Sequence, residues 1–120
     1  MKAVLRKLES TGLDLDLEFF VPTTPECFGI FITAFFGTEG ETGEDMFDFT
    51  VCTPAWLEDL ARRDTGILMG RHFLIVLKYD FRRIKRFLED YAAKCEGDAW
   101  PEIAEKLGRL GHWEFEDYNP

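Results

Sequence analysis

The fold is decided by the stretch FGIFITAFFGTEGETGEDMFDFTVC, which spans residues 28–52. Residues 28–36 are apolar on both faces of an extended chain, as expected for a central strand that is covered at least in part on each side. Residues 45–53 alternate between apolar and polar side chains, which predicts a second strand. Three glycines and three glutamates between residues 37 and 44 indicate a connection longer than a two-residue turn. The stretch therefore predicts two antiparallel strands joined by an acidic loop.

Further strands are predicted on both sides of this hairpin. Residues 2–9 predict a first strand. Residues 13–20 alternate strictly, which is typical of an edge strand or extended segment with an acidic outer face. Residues 71–79 are rich in Phe, Leu, Ile and Val, and residues 112–118 alternate again. We expect a strand at residues 71–79 and at residues 112–118, and an edge strand or extended segment at residues 13–20.

Three helices are predicted between and after these strands. Thr53 can cap the first helix and Pro54 suits its first position. Asp80 is expected to cap the second helix and Asp98 the third, which a nearby glycine ends. The buried stripe of the second helix is predicted to consist of Phe81, Ile84, Phe87, Leu88 and Tyr91.

The order of elements, with strands first and helices mostly later, predicts an α+β fold. A chain of 120 residues, 46% of them hydrophobic and twelve of them phenylalanine, can form a real core. We therefore expect a single domain over residues 1–120, an antiparallel β-sheet backed by about three α-helices. The strand order is left open.

The charge of the chain is divided unevenly along its length. Residues 8–61 contain twelve carboxylates and no lysine, arginine or histidine, and the whole chain carries a net charge of −9. This acidic half of the chain repels nucleic acid and anionic membranes and attracts cationic protein surfaces. We expect a protein partner with a basic surface, and neither nucleic acid nor membrane as partner.

Cysteine usage and hydropathy predict a cytoplasmic protein. The three cysteines form no CxxC motif, and their odd number would leave one cysteine without a disulfide partner, which does not suit a secreted disulfide framework. No apolar region follows the basic residues near the N-terminus, so no signal peptide is expected. The longest apolar run, near residues 30–36, is far shorter than the roughly 20 residues of a membrane helix.

Motifs for metals and cofactors are missing from the sequence. Asp14, Asp16 and Glu18 resemble the start of a calcium loop, but Phe19 and Pro25 stand where its glycine and final glutamate belong. No phosphate-binding loop and no zinc-ligand spacing occurs. We expect no cofactor and no metal.

Cys52 and His72 are the candidates for a nucleophile and its base. Cys52 precedes a helix N-terminus, which favours thiolate, but a small apolar cysteine at a strand end is more often a packing residue. A small thiol-dependent hydrolase using this pair is kept as an alternative function. The basic cluster at residues 82–86 is interpreted as a solvated helix face.

Several strings resemble the immunity protein 8 family of bacterial polymorphic toxin systems. They are FTVCTPAWL at residues 49–57, GRHFLIV at residues 70–76, and the stretch from Cys95 into Trp113-Glu114-Phe115. The resemblance covers nearly the whole chain. It implies an intracellular antitoxin with an α+β fold that binds and blocks a cognate toxin domain. Because the sequence contains no clear catalytic constellation, we expect that the protein is not an enzyme. By family pattern the recurring positions are Cys52, Pro54, Trp56, Gly70, Arg71, His72 and Trp113, which we interpret mostly as structural.

We therefore predict an immunity protein that neutralises a toxin, a nuclease in our expectation, through an acidic surface. A generic acidic adaptor for another basic protein is the remaining alternative, and the oligomeric state is open. The residues predicted to contact the partner are Glu39, Glu41, Glu44, Asp45, Glu114, Glu116 and Asp117.

Overall fold

The computed structural model describes residues 1–13 and 15–118. Within these residues the chain forms five strands and three helices, and the α+β class predicted from the element order is confirmed. In chain order they are β1 (Ala3–Glu9), β2 (Gly29–Thr38), β3 (Asp45–Cys52), α1 (Pro54–Arg62), β4 (Phe73–Ile75), α2 (Phe81–Ala93), α3 (Trp100–Leu107) and β5 (His112–Trp113).

The strands form one sheet in the order β1-β2-β3-β4, with β5 also paired to β3. The pairs β1–β2, β2–β3 and β3–β5 are antiparallel, whereas β3–β4 is parallel. The sheet is therefore mixed, and the prediction of a wholly antiparallel sheet is wrong at β4. The reason is that α1 carries the chain back between β3 and β4, and a strand that returns through such a crossover runs parallel.

One edge of β3 is shared by two short strands. β4 pairs with residues 50–52 of β3, and β5 pairs with residues 47–48. Gly111 lies directly before β5, and a Cβ at this position would approach the Phe49 ring to 3.2 Å. The two short strands therefore meet near the middle of β3, which brings distant parts of the sequence together.

The core fills one face of the sheet. Alternate residues of β2 and β3 point to this face, where α2 and α3 cover them. The most deeply buried members are Ile32, Ala34, Phe36, Phe47, Phe49, Val51, Leu88, Ala92, Ile103, Ala104 and Leu107. This packing gives the sheet its hydrophobic driving force.

The opposite face of the sheet is covered only in part. At the start of β2, Trp56 of α1 lies over Gly29, where a Cβ would be only 2.2 Å from the indole ring. Farther along β2, Phe31 stays half exposed and Lys7 lies over the Phe35 ring at 5.0 Å. On this face Thr33 is also buried, so the prediction that β2 is covered at least in part on each face is confirmed, with Phe31 as the exposed position.

The strand predicted over residues 13–20 does not form. Asp14 lies outside the described residues, and the neighbouring residues form turns, with the Phe19 amide donating to the Asp16 carbonyl at 2.9 Å. Leu17 is inserted into the core and its carbonyl accepts from the Tyr79 hydroxyl. A period-two pattern makes a strand only where a partner strand is available, and this segment has none among the described residues.

The two C-terminal strands are shorter than predicted. Instead of residues 71–79, β4 covers three residues, because its parallel partner β3 ends at Cys52 and α1 begins two residues later. Instead of residues 112–118, β5 covers two residues. After Trp113 the chain turns, with the Glu116 amide donating to the Trp113 carbonyl at 2.9 Å.

The predicted N-cap position is correct at two helices of three, and the predicted side-chain cap forms at one of them. Asp80 caps α2 by accepting from the Arg83 amide at 3.2 Å. Thr53 does not cap α1 through its side chain, because its hydroxyl accepts from the Phe28 amide at 3.1 Å instead. The N-cap of α3 is Ala99 rather than Asp98.

The apolar stripe predicted for α2 is correct except at Phe87, whose side chain is 49% exposed. Ala92, which was not predicted to belong to the stripe, is buried.

Within residues 1–13 and 15–118, no helix combines the length and apolar character needed to cross a bilayer.

Candidate functional site

The loop between β2 and β3, residues 39–44, is the hairpin loop. Gly40 and Gly43 have positive φ angles of 82° and 100°, which glycine adopts readily and other residues rarely do. Arg6 of β1 holds the base of the loop, since its guanidinium donates to the carbonyls of Thr38, at 2.8 Å, and of Glu41. The loop is therefore anchored through its backbone, which leaves its side chains available.

The three glutamates of the hairpin loop point into solvent. Glu39, Glu41 and Glu44 are exposed, and their carboxylates make no ion pair with any other described residue. Arg6, which is distant in sequence, contributes a cation at the base of the loop but contacts carbonyls rather than carboxylates. The loop thus presents three carboxylates without an ion-pair partner among the described residues.

Asp45 directly follows the hairpin loop and is engaged inside the protein. Its Oδ2 atom accepts from the indole Nε1 of Trp100 at 2.7 Å and from that of Trp113 at 2.9 Å. The carboxylate therefore joins β3 to α3 and β5. Of the predicted contact residues, Asp45 is the one whose geometry most clearly indicates a structural role.

The turn after β5, residues 114–117, is the C-terminal turn, and it carries the other predicted contact residues. Glu114 is exposed, and its Oε1 accepts from the Met46 amide at 2.9 Å, which joins the turn to the end of the hairpin loop. Glu116 is half-buried and pairs with Arg71, while His112 Nδ1 lies 3.4 Å from its Oε2. Asp117 is exposed, with a positive φ of 61°.

The fold thus brings the two predicted acidic groups to the same end of the sheet. We call this surface, formed by the hairpin loop and the C-terminal turn, the acidic end. Its outermost carboxylates are Glu39, Glu41, Glu44, Glu114 and Asp117, whereas Asp45 and Glu116 lie beneath them. Sequence reasoning found these acids, but it gave no reason for the two groups to be neighbours.

A family model described as immunity protein 8 matches residues 3–118. The chain belongs to this family. No curated protein and no solved structure matches the chain significantly. The family match extends from β1 through the C-terminal turn, so the whole acidic end lies inside the region that defines the immunity protein 8 family.

Most positions attributed to the immunity protein 8 pattern have a packing role. Cys52 is fully buried, and Pro54 occupies the first turn of α1. Trp56 fills the space above Gly29. Trp113 stacks on Phe47 with ring centroids 6.4 Å apart. These contacts join α1 and β5 to the sheet.

Gly70, Arg71 and His72 differ from the other family positions. Gly70 is exposed, and a Cβ there would meet no atom within 4 Å. Arg71 reaches Glu116 of the C-terminal turn. His72 has a positive φ of 65°, which is rare for a residue other than glycine. Burial, and then the nearby Arg71, lower the pKa of His72, while the Leu110 backbone opposes this shift.

The structure does not bring Cys52 and His72 together as a catalytic pair. Cys52 lies opposite Ile75 in the β3–β4 register, so His72 is three residues away along the strand, about 10 Å. Burial also raises the pKa of the Cys52 thiol to about 11, which disfavours the reactive thiolate. This geometry does not support thiol chemistry at Cys52.

Sequence reasoning missed the cluster of His72, His112 and Glu116. One possible metal-ligating atom from each residue lies within 4.8 Å of the other two. No local spacing connects the three residues, because they meet only where β4 and β5 share the edge of β3. The signal available in the sequence was limited to the presence of two histidines in the whole chain.

Proposed function

We propose that this protein is a cytoplasmic immunity protein that binds a cognate toxin domain stoichiometrically and neutralises it through the acidic end. Membership in the immunity protein 8 family supports the general role. The observation that carries the choice of surface is the group of exposed, unpaired carboxylates on the anchored hairpin loop.

The partner we propose is a nuclease. Nucleases hold phosphates with lysine and arginine, so their active sites present positive surfaces. A loop with three free carboxylates can occupy such a surface in place of nucleic acid. Complementary charge also accelerates encounter, with association rates up to about 10⁸–10⁹ M⁻¹ s⁻¹ at low salt. Because binding suffices for neutralisation, the proposal requires no catalytic activity of the immunity protein.

The test is co-expression with the toxin domain encoded immediately upstream, followed by binding kinetics with the purified pair. The variant Glu39→Lys, Glu41→Lys, Glu44→Lys reverses the charge of the hairpin loop. We expect its association rate to fall on the order of tenfold or more at low salt, and its salt dependence to weaken.

A matched control reverses three exposed acids, Asp16, Glu18 and Glu26, in the connection at the opposite end of the sheet. This control has the same net charge as the hairpin-loop variant, so it removes the effect of overall charge. Equal association rates for the two variants would show that the toxin does not dock on the hairpin loop. Failure of the unaltered protein to protect cells would refute immunity against that toxin.

A further inference from the structure

The edge of β3 holds a histidine pair that the proposed function does not use. His72 lies directly before β4, and its carbonyl accepts from the Thr50 amide at 3.0 Å. His112 lies in β5 opposite Asp48. The two imidazole rings approach edge to face with centroids 6.1 Å apart. The backbone pairing of two strands with one neighbour therefore fixes the positions of both rings.

Glu116 adds a carboxylate to this pair. His112 Nδ1 and Glu116 Oε2 are 3.4 Å apart, and all three ligating atoms lie within 4.8 Å of one another. Two ligands of a tetrahedral zinc ion, each bound at about 2.1 Å, are separated by about 3.4 Å. The distance between His112 Nδ1 and Glu116 Oε2 already has this value, and a ring nitrogen of His72 lies within 4.8 Å of a ligand atom of each of the other two residues.

The imidazole ring of His72 lacks hydrogen-bond partners among the residues that the structure describes. Both of its ring nitrogens are shielded from solvent, and neither makes a well-formed hydrogen bond to a described residue. Buried polar groups of this kind are rare in native proteins and call for a partner.

Arg71 organises the carboxylate rather than blocking it. The guanidinium contacts Glu116 Oε1, while the other oxygen, Oε2, faces His112. Metal-ligating carboxylates are commonly oriented by such an outer hydrogen bond. The pair therefore leaves one carboxylate oxygen for a metal ion.

We propose that His72, His112 and Glu116 bind a divalent transition-metal ion of the zinc type, with one coordination position left for water or another ligand. Two imidazoles and a carboxylate are a donor set that zinc accepts in an open, three-ligand site. This proposal departs from the sequence-based expectation of no metal, and it does not depend on the proposed immunity function.

The test is titration of the tag-free, chelator-treated full chain with Co²⁺ and Zn²⁺, followed by calorimetry, thermal unfolding and visible absorption. We expect one equivalent to bind, Co²⁺ to give the visible bands of a four- or five-coordinate site without thiolate, and Zn²⁺ to raise the Tm. The variants His112→Ala and Glu116→Gln should each weaken binding at least about tenfold.

Two further variants keep the test decisive. Glu114→Gln alters an exposed neighbouring carboxylate outside the set and should bind as the unaltered protein does. His72→Gly removes one ligand while tolerating the positive φ, so it should fold and lose binding. No binding by the unaltered chain, or binding unchanged in both the His112→Ala and Glu116→Gln variants, would overturn the proposal.

Discussion

Replacing Asp45 with alanine is the perturbation that best tests how the acidic end is held together. Two indole N–H groups, from Trp100 and Trp113, converge on the same oxygen, Oδ2. The replacement removes both hydrogen bonds and leaves two partly buried donors without an acceptor. It also releases the connection from β3 to α3 and β5.

The size of the effect follows from this geometry. A hydrogen bond to a charged group contributes roughly 1.5–3 kcal/mol. The two bonds share one half-buried oxygen, so their contributions do not add fully. We expect Asp45→Ala to lower the free energy of unfolding by about 2–4 kcal/mol, a large part of the roughly 5–15 kcal/mol of a typical domain. Asp45→Asn keeps an acceptor oxygen but loses the charge, so about 1–2 kcal/mol is expected.

The assay is urea unfolding followed by tryptophan fluorescence and by far-UV circular dichroism. Glu44→Ala is the matched control, because this neighbouring acid is exposed, and its loss should change stability by less than about 0.5 kcal/mol. If Asp45→Ala costs no more than Glu44→Ala, the indole–carboxylate bonds do not hold the acidic end in solution. In that case Asp45 becomes available again as a contact residue.

Three further predictions concern packing and thiol reactivity. Phe47→Ala should lower the free energy of unfolding in urea by about 3–5 kcal/mol, because the ring is fully buried. A loss below about 1 kcal/mol would contradict the burial of Phe47 in the core. Gly29→Ala should destabilise by about 1–3 kcal/mol, because its Cβ would overlap the Trp56 ring, whereas Gly12→Ala, with open space around it, should be nearly neutral. Burial raises the pKa of Cys52 to about 11, so its thiol stays protonated at pH 8. Cys52 should therefore react with a disulfide reagent only after urea unfolds the chain, and rapid labelling of the native protein would refute its burial.

The sequence reveals most where the structural signal is local. The β2–β3 hairpin was predictable because its alternation, its glycines and its loop acids are all contained in residues 28–53. The strand predicted over residues 13–20 failed because alternation alone does not supply a partner. β4 stops after three residues because its partner β3 ends at Cys52 and α1 begins two residues later, a limit imposed by tertiary structure.

The candidate site also combines features that are local in the sequence with features that only the tertiary structure creates. The acids of the hairpin loop are visible as a sequence cluster, and the structure leaves them exposed. The role of Asp45 depends on tryptophans 55 and 68 residues away, so no local pattern indicated it. His72 and His112 become neighbours only because two short strands share the edge of β3.

The brevity of β5 has a consequence for how the fold opens. A two-residue strand contributes little backbone pairing, so its release requires far less energy than opening of the β2–β3 ladder. Detachment of this segment would dismantle the C-terminal turn and the histidine pair while the rest of the sheet persists. Amide exchange at His112 and Trp113 should therefore outpace exchange in β2, and the proposed binding of the toxin domain should weaken in urea before the secondary structure is lost.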